Sequence, residues 1–271
     1  MTPSDPVLLI ERHERVRLLR LNRAARKNAI DEALGWAIVR AIEDAARDDE
    51  VWVVGITGAG DAFCSGLDLA PPSSSGERPS PLSRQDELLD ELGWVGRFPV
   101  VMRERCDKPI VAGVNGVAIG AGFSLAMAAD IRIASAKARF LAGYARVGTS
   151  PDGGLTWTLS QAIGYEQALR VLLEGEMIAA DDALARGIVS EVVAADEFEK
   201  RLLGYCESLA KGSPIAARQT KRMLSRAVVA TSLEAHAREE LLNARRGLGS
   251  EDSAEARKAI LEKRAPEFKG R

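Results

Sequence analysis

The run from Pro109 to Ala129 constrains this chain more than any other stretch. It reads Pro-Ile-Val-Ala-Gly-Val-Asn-Gly-Val-Ala-Ile-Gly-Ala-Gly-Phe-Ser-Leu-Ala-Met-Ala-Ala and carries no charged residue. Its first part is apolar and β-branched, the pattern of a buried strand. The pattern breaks at Asn115-Gly116 and again at Gly120-Ala121-Gly122, and the residues from Phe123 onward are good helix formers. A strand delivered into a helix through a glycine-rich bend leaves unpaired backbone N–H groups at the helix start. Such donors, at the positive end of the helix dipole, suit an anion or a developing negative charge. The run is long enough to span a bilayer. Four glycines and an asparagine interrupt it, however, and Asp130-Ile131-Arg132 follows at once, so a membrane span is set aside. A dinucleotide fingerprint is not met, because Leu125 stands where the third glycine belongs. No Gly-Lys-Ser/Thr follows to make a phosphate loop. A tight structural turn is the plain alternative to an anion site.

Composition removes several classes of function. With 37 Lys and Arg against 39 Asp and Glu, the formal charge of −2 gives no electrostatic case for nucleic acid. Cys64, Cys106 and Cys206 are few, odd in number and far apart, which points to a reducing compartment without a disulfide framework. Their spacing matches no zinc site, and only His13 and His236 could add imidazole. The start, Met1-Thr-Pro-Ser-Asp5, lacks a basic region followed by an apolar core. Cytoplasmic localisation is the expectation.

Strand–strand–helix units are expected first. Val7–Ile10 and Val16–Leu21 read as a hairpin, with His13 in its turn. A helix follows to about Arg47, then a buried strand at Val51–Thr57 and a second glycine-rich loop, Gly58–Leu69. Pro71 to Arg84 is rich in proline and serine and reads as a mobile loop. In the amphipathic stretch from Gln85 to Arg105, Pro99 should break or kink any helix. Trp94, Val95 and Phe98 could line an acyl pocket or pack in the core. Short strands are expected at Ile131–Ala134, Arg139–Leu141 and Ile188–Val193, with helices near Leu155–Ile163, Tyr165–Leu173 and Ala180–Arg186. Residues 1–195 form the expected core region, and 196–271 are expected to be almost wholly helical. Within the latter, Ser213-Pro214 reads as a helix start and Thr231–Glu234 as a capping box. That helical region could simply pack on the body or could join subunits.

Two strand-to-glycine-loop transitions, at Thr57–Leu69 and Val114–Ser124, can each offer backbone N–H groups. If they converge they form an oxyanion hole, in which losing one donor costs on the order of 10²–10³ in rate. Five motifs appear in order around them: Leu21-Asn-Arg23 with Lys27-Asn-Ala-Ile30, Phe63–Leu69, Lys108–Gly122, Ala129–Ala134 and Gly148-Thr-Ser-Pro-Asp-Gly-Gly154. Together they resemble the crotonase (enoyl-CoA hydratase/isomerase) superfamily, over essentially the whole chain. The Pro-Asp-Gly-Gly stretch looks most like its isomerase branches.

The resemblance implies an α/β fold, a crotonase-like spiral of ββα units with a C-terminal helical oligomerisation region. A homotrimer or dimer of trimers is implied, as is an acyl-CoA thioester as substrate. Coenzyme A enters only as part of that substrate, and no metal or redox cofactor is required. Carried over, the oxyanion donors are Leu67 N–H and Ala121 N–H. The CoA and substrate contacts map to Arg26, Lys27, Ala62, Cys64, Gly66 and Gly120, with Ser124 and Tyr144 at the reacting end. Arg26 and Lys27 could equally be solvated loop charges. Cys64 reads as a small packed residue, since no histidine nearby would activate it, and Asp68 as a loop or cap residue.

The acid–base pair departs from the hydratase pattern. Hydratases of the family place two glutamates over the thioester, and this chain has Ser124 and Tyr144 there. Tyr144, with an ordinary pKa of about 10, is a poor base near neutral pH. Asp152 is the remaining candidate, either as the catalytic base or as a helix N-cap. The expected activity is acyl-CoA isomerisation with Asp152 as base. Hydration of a 2-enoyl-CoA and a non-catalytic acyl-CoA-binding role are the alternatives.

Overall fold

The computed structural model describes residues 5–70 and 80–271. Most of the proline- and serine-rich stretch, residues 71–79, therefore lies outside the described residues. The chain opens with a hairpin of β1 (Leu8–His13) and β2 (Val16–Leu21), whose turn is Glu14-Arg15. His13 thus ends a strand instead of sitting in the turn. Next come α1 (Glu32–Arg47), started by the Asp31 carboxylate accepting from Leu34 N–H, then β3 (Val53–Gly58) and β4 (Ala62–Cys64). Two helices follow, α2 (Arg84–Leu89) and α3 (Gly93–Val100).

Pro99 lies inside α3 and does not end it. The chain continues into one wide turn, Val101–Arg105, where Cys106 N–H reaches back to Val101 O. A proline removes one ladder donor, and a turn of π spacing is one way a helix absorbs such an irregularity. Phe98 is buried and Trp94 and Val95 pack on the same core. The Trp94 ring lies over Gly35 of α1, where a methyl group would come within 2.3 Å of it. Of the two readings for these residues, core packing is the one observed.

The central run supplies β5 (Ile110–Val114), β6 (Val117–Ile119) and α4 (Ala121–Ala128). It is followed by β7 (Ile131–Ser135), β8 (Arg139–Leu141), α5 (Leu155–Ile163) and α6 (Tyr165–Glu174). The body closes with β9 (Ile178–Ala179), α7 (Ala180–Ala185) and β10 (Glu191–Val193). β10 is shorter than the apolar run suggests, because Ile188 and Val189 are buried ahead of the strand.

The strands form two sheets, ordered β1-β2-β3-β5-β7-β10 and β4-β6-β8-β9. Each repeat sends its first strand to the larger sheet and its second to the smaller one: β3 then β4, β5 then β6, β7 then β8. That is the ββα spiral. The repeats pair in parallel, and among the described residues only the β1–β2 and β8–β9 pairs are antiparallel. Fully buried strands such as β3 and β5 are apolar without alternation, as parallel sheets covered on both faces require.

Four helices complete the chain: α8 (Phe198–Ala210), α9 (Pro214–Ala227), α10 (Leu233–Leu248) and α11 (Glu251–Glu262). Phe198, Leu202 and Cys206 of α8 form a second core with Val16, Leu18, Val53, Val111 and Ile133. Ser213 caps α9 as expected. The α10 cap is Ser232, accepting from Ala235 N–H, so Glu234 falls one residue short of completing a capping box. No helix among the described residues is long and apolar enough to cross a membrane.

Candidate active site

The two glycine loops meet. Gly66, at φ +100, turns the first loop so closely over the second that a methyl group there would lie 2.8 Å from Ile119 O and 3.8 Å from Ala121 N. Only glycine meets both demands. A short parallel bridge fixes the other side: Ile30 N–H donates to Gly66 O at 2.7 Å and Asp68 N–H to Ile30 O at 2.9 Å. In that register Leu67 N–H faces away from Ile30. Ala121 is the first residue of α4, where an N–H has no partner within the helix. Neither amide donates to a protein acceptor among the described residues. Leu67 is half exposed, whereas Ala121 is 4% exposed. The Leu67 and Ala121 donors proposed from sequence therefore belong to adjoining loops.

Two asparagines hold this arrangement, and the sequence reading assigned them no role. Asn115 stands on the second loop but serves the first: its amide donates to Gly58 O and Gly60 O at 3.0 Å and to Ala62 O at 3.2 Å, while its Oδ1 accepts from Gly58 N–H. Buried Asn28 donates to Ala59 O at 2.9 Å and Ala62 O at 2.7 Å and accepts from Arg23 N–H. Buried carbonyls need partners, and these two amides satisfy a loop too irregular to satisfy itself. Both residues sit inside the recognised motifs, which was the only signal available for them.

The cations of the Arg26-Lys27 loop are half exposed and paired. Arg26 meets Asp68 at 3.2 Å and Lys27 meets Asp61 at 2.6 Å. Asp68 also accepts from Ala70 N–H and pairs with Arg23 at 2.9 Å. The backbone bond from Ala70 and the Arg23 guanidinium hold its carboxyl below the ordinary value. It is a loop-organising residue, as expected. Ala62 and Cys64 are buried in β4. Burial pushes the Cys64 thiol up to about 12, so it is an inert, packed group. No group of three or more His, Cys, Asp or Glu side chains that could hold a metal ion occurs among the described residues.

Ser124, Tyr144 and Asp152 come together in one hydrogen-bonded cluster. Tyr144 Oη donates to Asp152 Oδ1 at 2.6 Å, and Ser124 Oγ lies 2.9 Å from Tyr144 Oη. Ser124 Oγ is also 3.1 Å from Asp152 O and 3.3 Å from Gly120 O. Ser124 and Tyr144 are buried, and Asp152 is exposed beside them. Burial, reinforced by the bond to Asp152, pushes the Tyr144 phenol well above its ordinary value, so it remains a donor at neutral pH. The cap of α5 is Gly154, with no side-chain bond, and only the Asp152 carbonyl reaches Leu155 N–H at 3.1 Å. The Asp152 carboxylate therefore does not serve as a helix cap. Gly153 makes the cluster possible, since a methyl group there would meet Phe98 Cζ at 2.6 Å and Ser124 Cβ at 2.8 Å.

Comparison with known proteins gives a consistent picture. A family model described as enoyl-CoA hydratase/isomerase matches residues 11–271. The 2,3-dehydroadipyl-CoA hydratase of Escherichia coli is 33% identical over 264 residues, covering 97% of this chain and 99% of that protein. A probable enoyl-CoA hydratase of Mycobacterium tuberculosis is 37% identical over 199 residues, covering 73% of this chain and 72% of that protein. The crystal structure of a probable enoyl-CoA hydratase/isomerase from Mycobacterium abscessus matches with a TM-score of 0.85 at 32% identity, covering 98% and 99% of the two chains. The activity these names print most often is hydration, and the preference for isomerisation finds no specific support among them.

Proposed function

This chain belongs to the enoyl-CoA hydratase/isomerase family, and from that premise we propose that it transforms an enoyl-CoA thioester through an enolate held by Leu67 N–H and Ala121 N–H. Within that class the cluster favours isomerisation. The cluster holds a single carboxylate, Asp152, with Ser124 and Tyr144 at the places of the two hydratase glutamates, and this is the observation that carries the reading. The Asp152 carboxylate takes a proton from an acyl carbon as that C–H bond breaks. The electron pair moves into the thioester, whose oxygen becomes the enolate anion. The two amides, on adjoining loops, would stabilise that charge. The proton then returns from Asp152 to a different carbon, the double bond shifts, and no other reactant is consumed.

Hydration is the second reading, and the printed names of the relatives speak for it. There a water would add hydroxyl to the β-carbon and a proton to the α-carbon, with Asp152 as the one carboxylate of the Ser124–Tyr144–Asp152 cluster to guide it. Turnover of purified protein on 3-enoyl- and 2-enoyl-CoA thioesters, with Asp152→Asn alongside, separates the two. Isomerisation that falls at least about 10²-fold in the variant supports the first reading. Hydration as the main wild-type activity, lost in the variant, selects the second. Turnover untouched by Asp152→Asn removes this residue from either mechanism.

The paired loop charges support a CoA role as well: Arg26 and Lys27 could exchange Asp68 and Asp61 for the phosphates of the nucleotide. Self-association through the helical region belongs to the same reading. It rests on exposed apolar side chains there, including Leu233, Ile260 at 75% and Leu261 at 84% exposure.

A further inference from the structure

We propose that Tyr144, supported by Ser124, is the positioning residue of the Asp152 base: its hydroxyl occupies Oδ1 and leaves Oδ2 as the only oxygen that faces substrate. This rests on Asp152 acting as the base. Proton counting leads to it. An ionised carboxylate only accepts, and Tyr144 has one proton to give. At 2.6 Å the Tyr144–Asp152 contact has the short length of a hydroxyl bonded to a charged oxygen. The Tyr144 proton therefore points at Oδ1. Asp152 Oδ2 has no hydrogen-bond partner among the described residues.

Ser124 completes the bracket. Its single proton has three oxygens in reach: Tyr144 Oη at 2.9 Å, Asp152 O at 3.1 Å and Gly120 O at 3.3 Å. With the Tyr144 proton committed to Asp152, the Ser124 hydroxyl donates to Tyr144 Oη and so ties the phenol to the first turn of α4, three residues from Ala121. The base and one oxyanion donor thus share a rigid support. The phenol is buried and carries its proton throughout, so it holds and orients the carboxylate without itself exchanging protons with substrate. When Oδ2 receives the substrate proton, Oδ1 remains an acceptor and the Tyr144 bond survives. Asp152 can then return the proton without reorientation. Side chains that share one proton network act as a unit, so their effects do not add.

The test is a double-mutant cycle in kcat and KM on whichever enoyl-CoA thioester the wild type turns over. Tyr144→Phe keeps the ring and deletes the donor. It should lower kcat by about 10- to 100-fold, the scale of a misplaced reacting group. KM should stay within about twofold and the melting temperature unchanged. Added to Asp152→Asn it should cost nothing further. Ser124→Ala should give a smaller fall in kcat, again with KM kept. It decides the matter if Tyr144→Phe fails to fold.

Asp152→Asn abolishing turnover while Tyr144→Phe changes kcat less than twofold would overturn the positioning role and leave the base standing. Equal losses from Tyr144→Phe in the wild-type and Asp152→Asn backgrounds would also overturn it. Turnover that survives Asp152→Asn, or no wild-type turnover of any enoyl-CoA, would overturn the base assignment itself.

Discussion

Ala121 is a useful residue to alter, because its proposed contribution is a backbone atom. It occupies the first position of α4, where proline is tolerated. Ala121→Pro removes the N–H while leaving the helix its geometry. We expect kcat to fall about 10²–10³-fold with little change in melting temperature. A variant that keeps full turnover would show that this amide is no part of the chemistry. Single residues of this kind were legible in the sequence because a glycine bend entering a helix is a local pattern. The Ser124–Tyr144–Asp152 cluster was legible only as three separate positions. Ser124, Tyr144 and Asp152 are 20, 8 and 28 residues apart in their pairings, and only the fold shows that they touch. The cap reading of Asp152 failed for the same reason: the helix starts two residues later than the carboxylate would need, at left-handed Gly154.

At the scale of elements, the loops depend on cross-bracing from distant strands. Asn115→Ala would strip partners from the carbonyls of Gly58 and Gly60, while Ala62 O keeps Asn28. Leaving such groups unsatisfied costs about 1–3 kcal/mol. The expected result is a lower denaturant midpoint together with reduced turnover. A midpoint equal to wild type would mean that other groups hold the first loop. A second brace joins α9 to the body. Buried Lys221 donates to Met102 O at 2.7 Å and Lys108 O at 2.9 Å and pairs with Asp130 at 2.8 Å. Lys221→Met leaves the carbonyls of Met102 and Lys108 without this donor, while Asp130 keeps Ile110 N–H at 2.8 Å and Arg103 at 3.8 Å, for a loss of about 1–3 kcal/mol by denaturant unfolding. An unchanged stability would place the attachment of α9 elsewhere. Most elements could be read in advance because apolar periodicity and Gly/Pro punctuation are carried by neighbours in sequence. Pro99 announced an irregularity but not its form, a π turn directly after it, and β10 was read too long because burial of Ile188 and Val189 does not require strand pairing.

At the scale of the whole molecule, the ββα spiral followed from the order of the motifs, while the proposed self-association would depend on surfaces that one chain leaves uncovered. Light scattering of the purified protein should give a mass near three or six times that of the 29.1 kDa chain. A monomer at micromolar concentration would refute self-association through the helical region. The Asn115 cross-tie bears on how such a molecule could acquire new chemistry. Neither Asn115 nor Asn28 bonds through its side chain to Ser124, Tyr144 or Asp152 among the described residues. The braces of the first glycine loop, which carries the proposed Leu67 donor, are therefore separate from the proposed base cluster, which is tied instead to α4 beside Ala121. On the proposed roles, substitutions at 144 and 152 would retool the reaction while the cross-braced first loop is inherited intact.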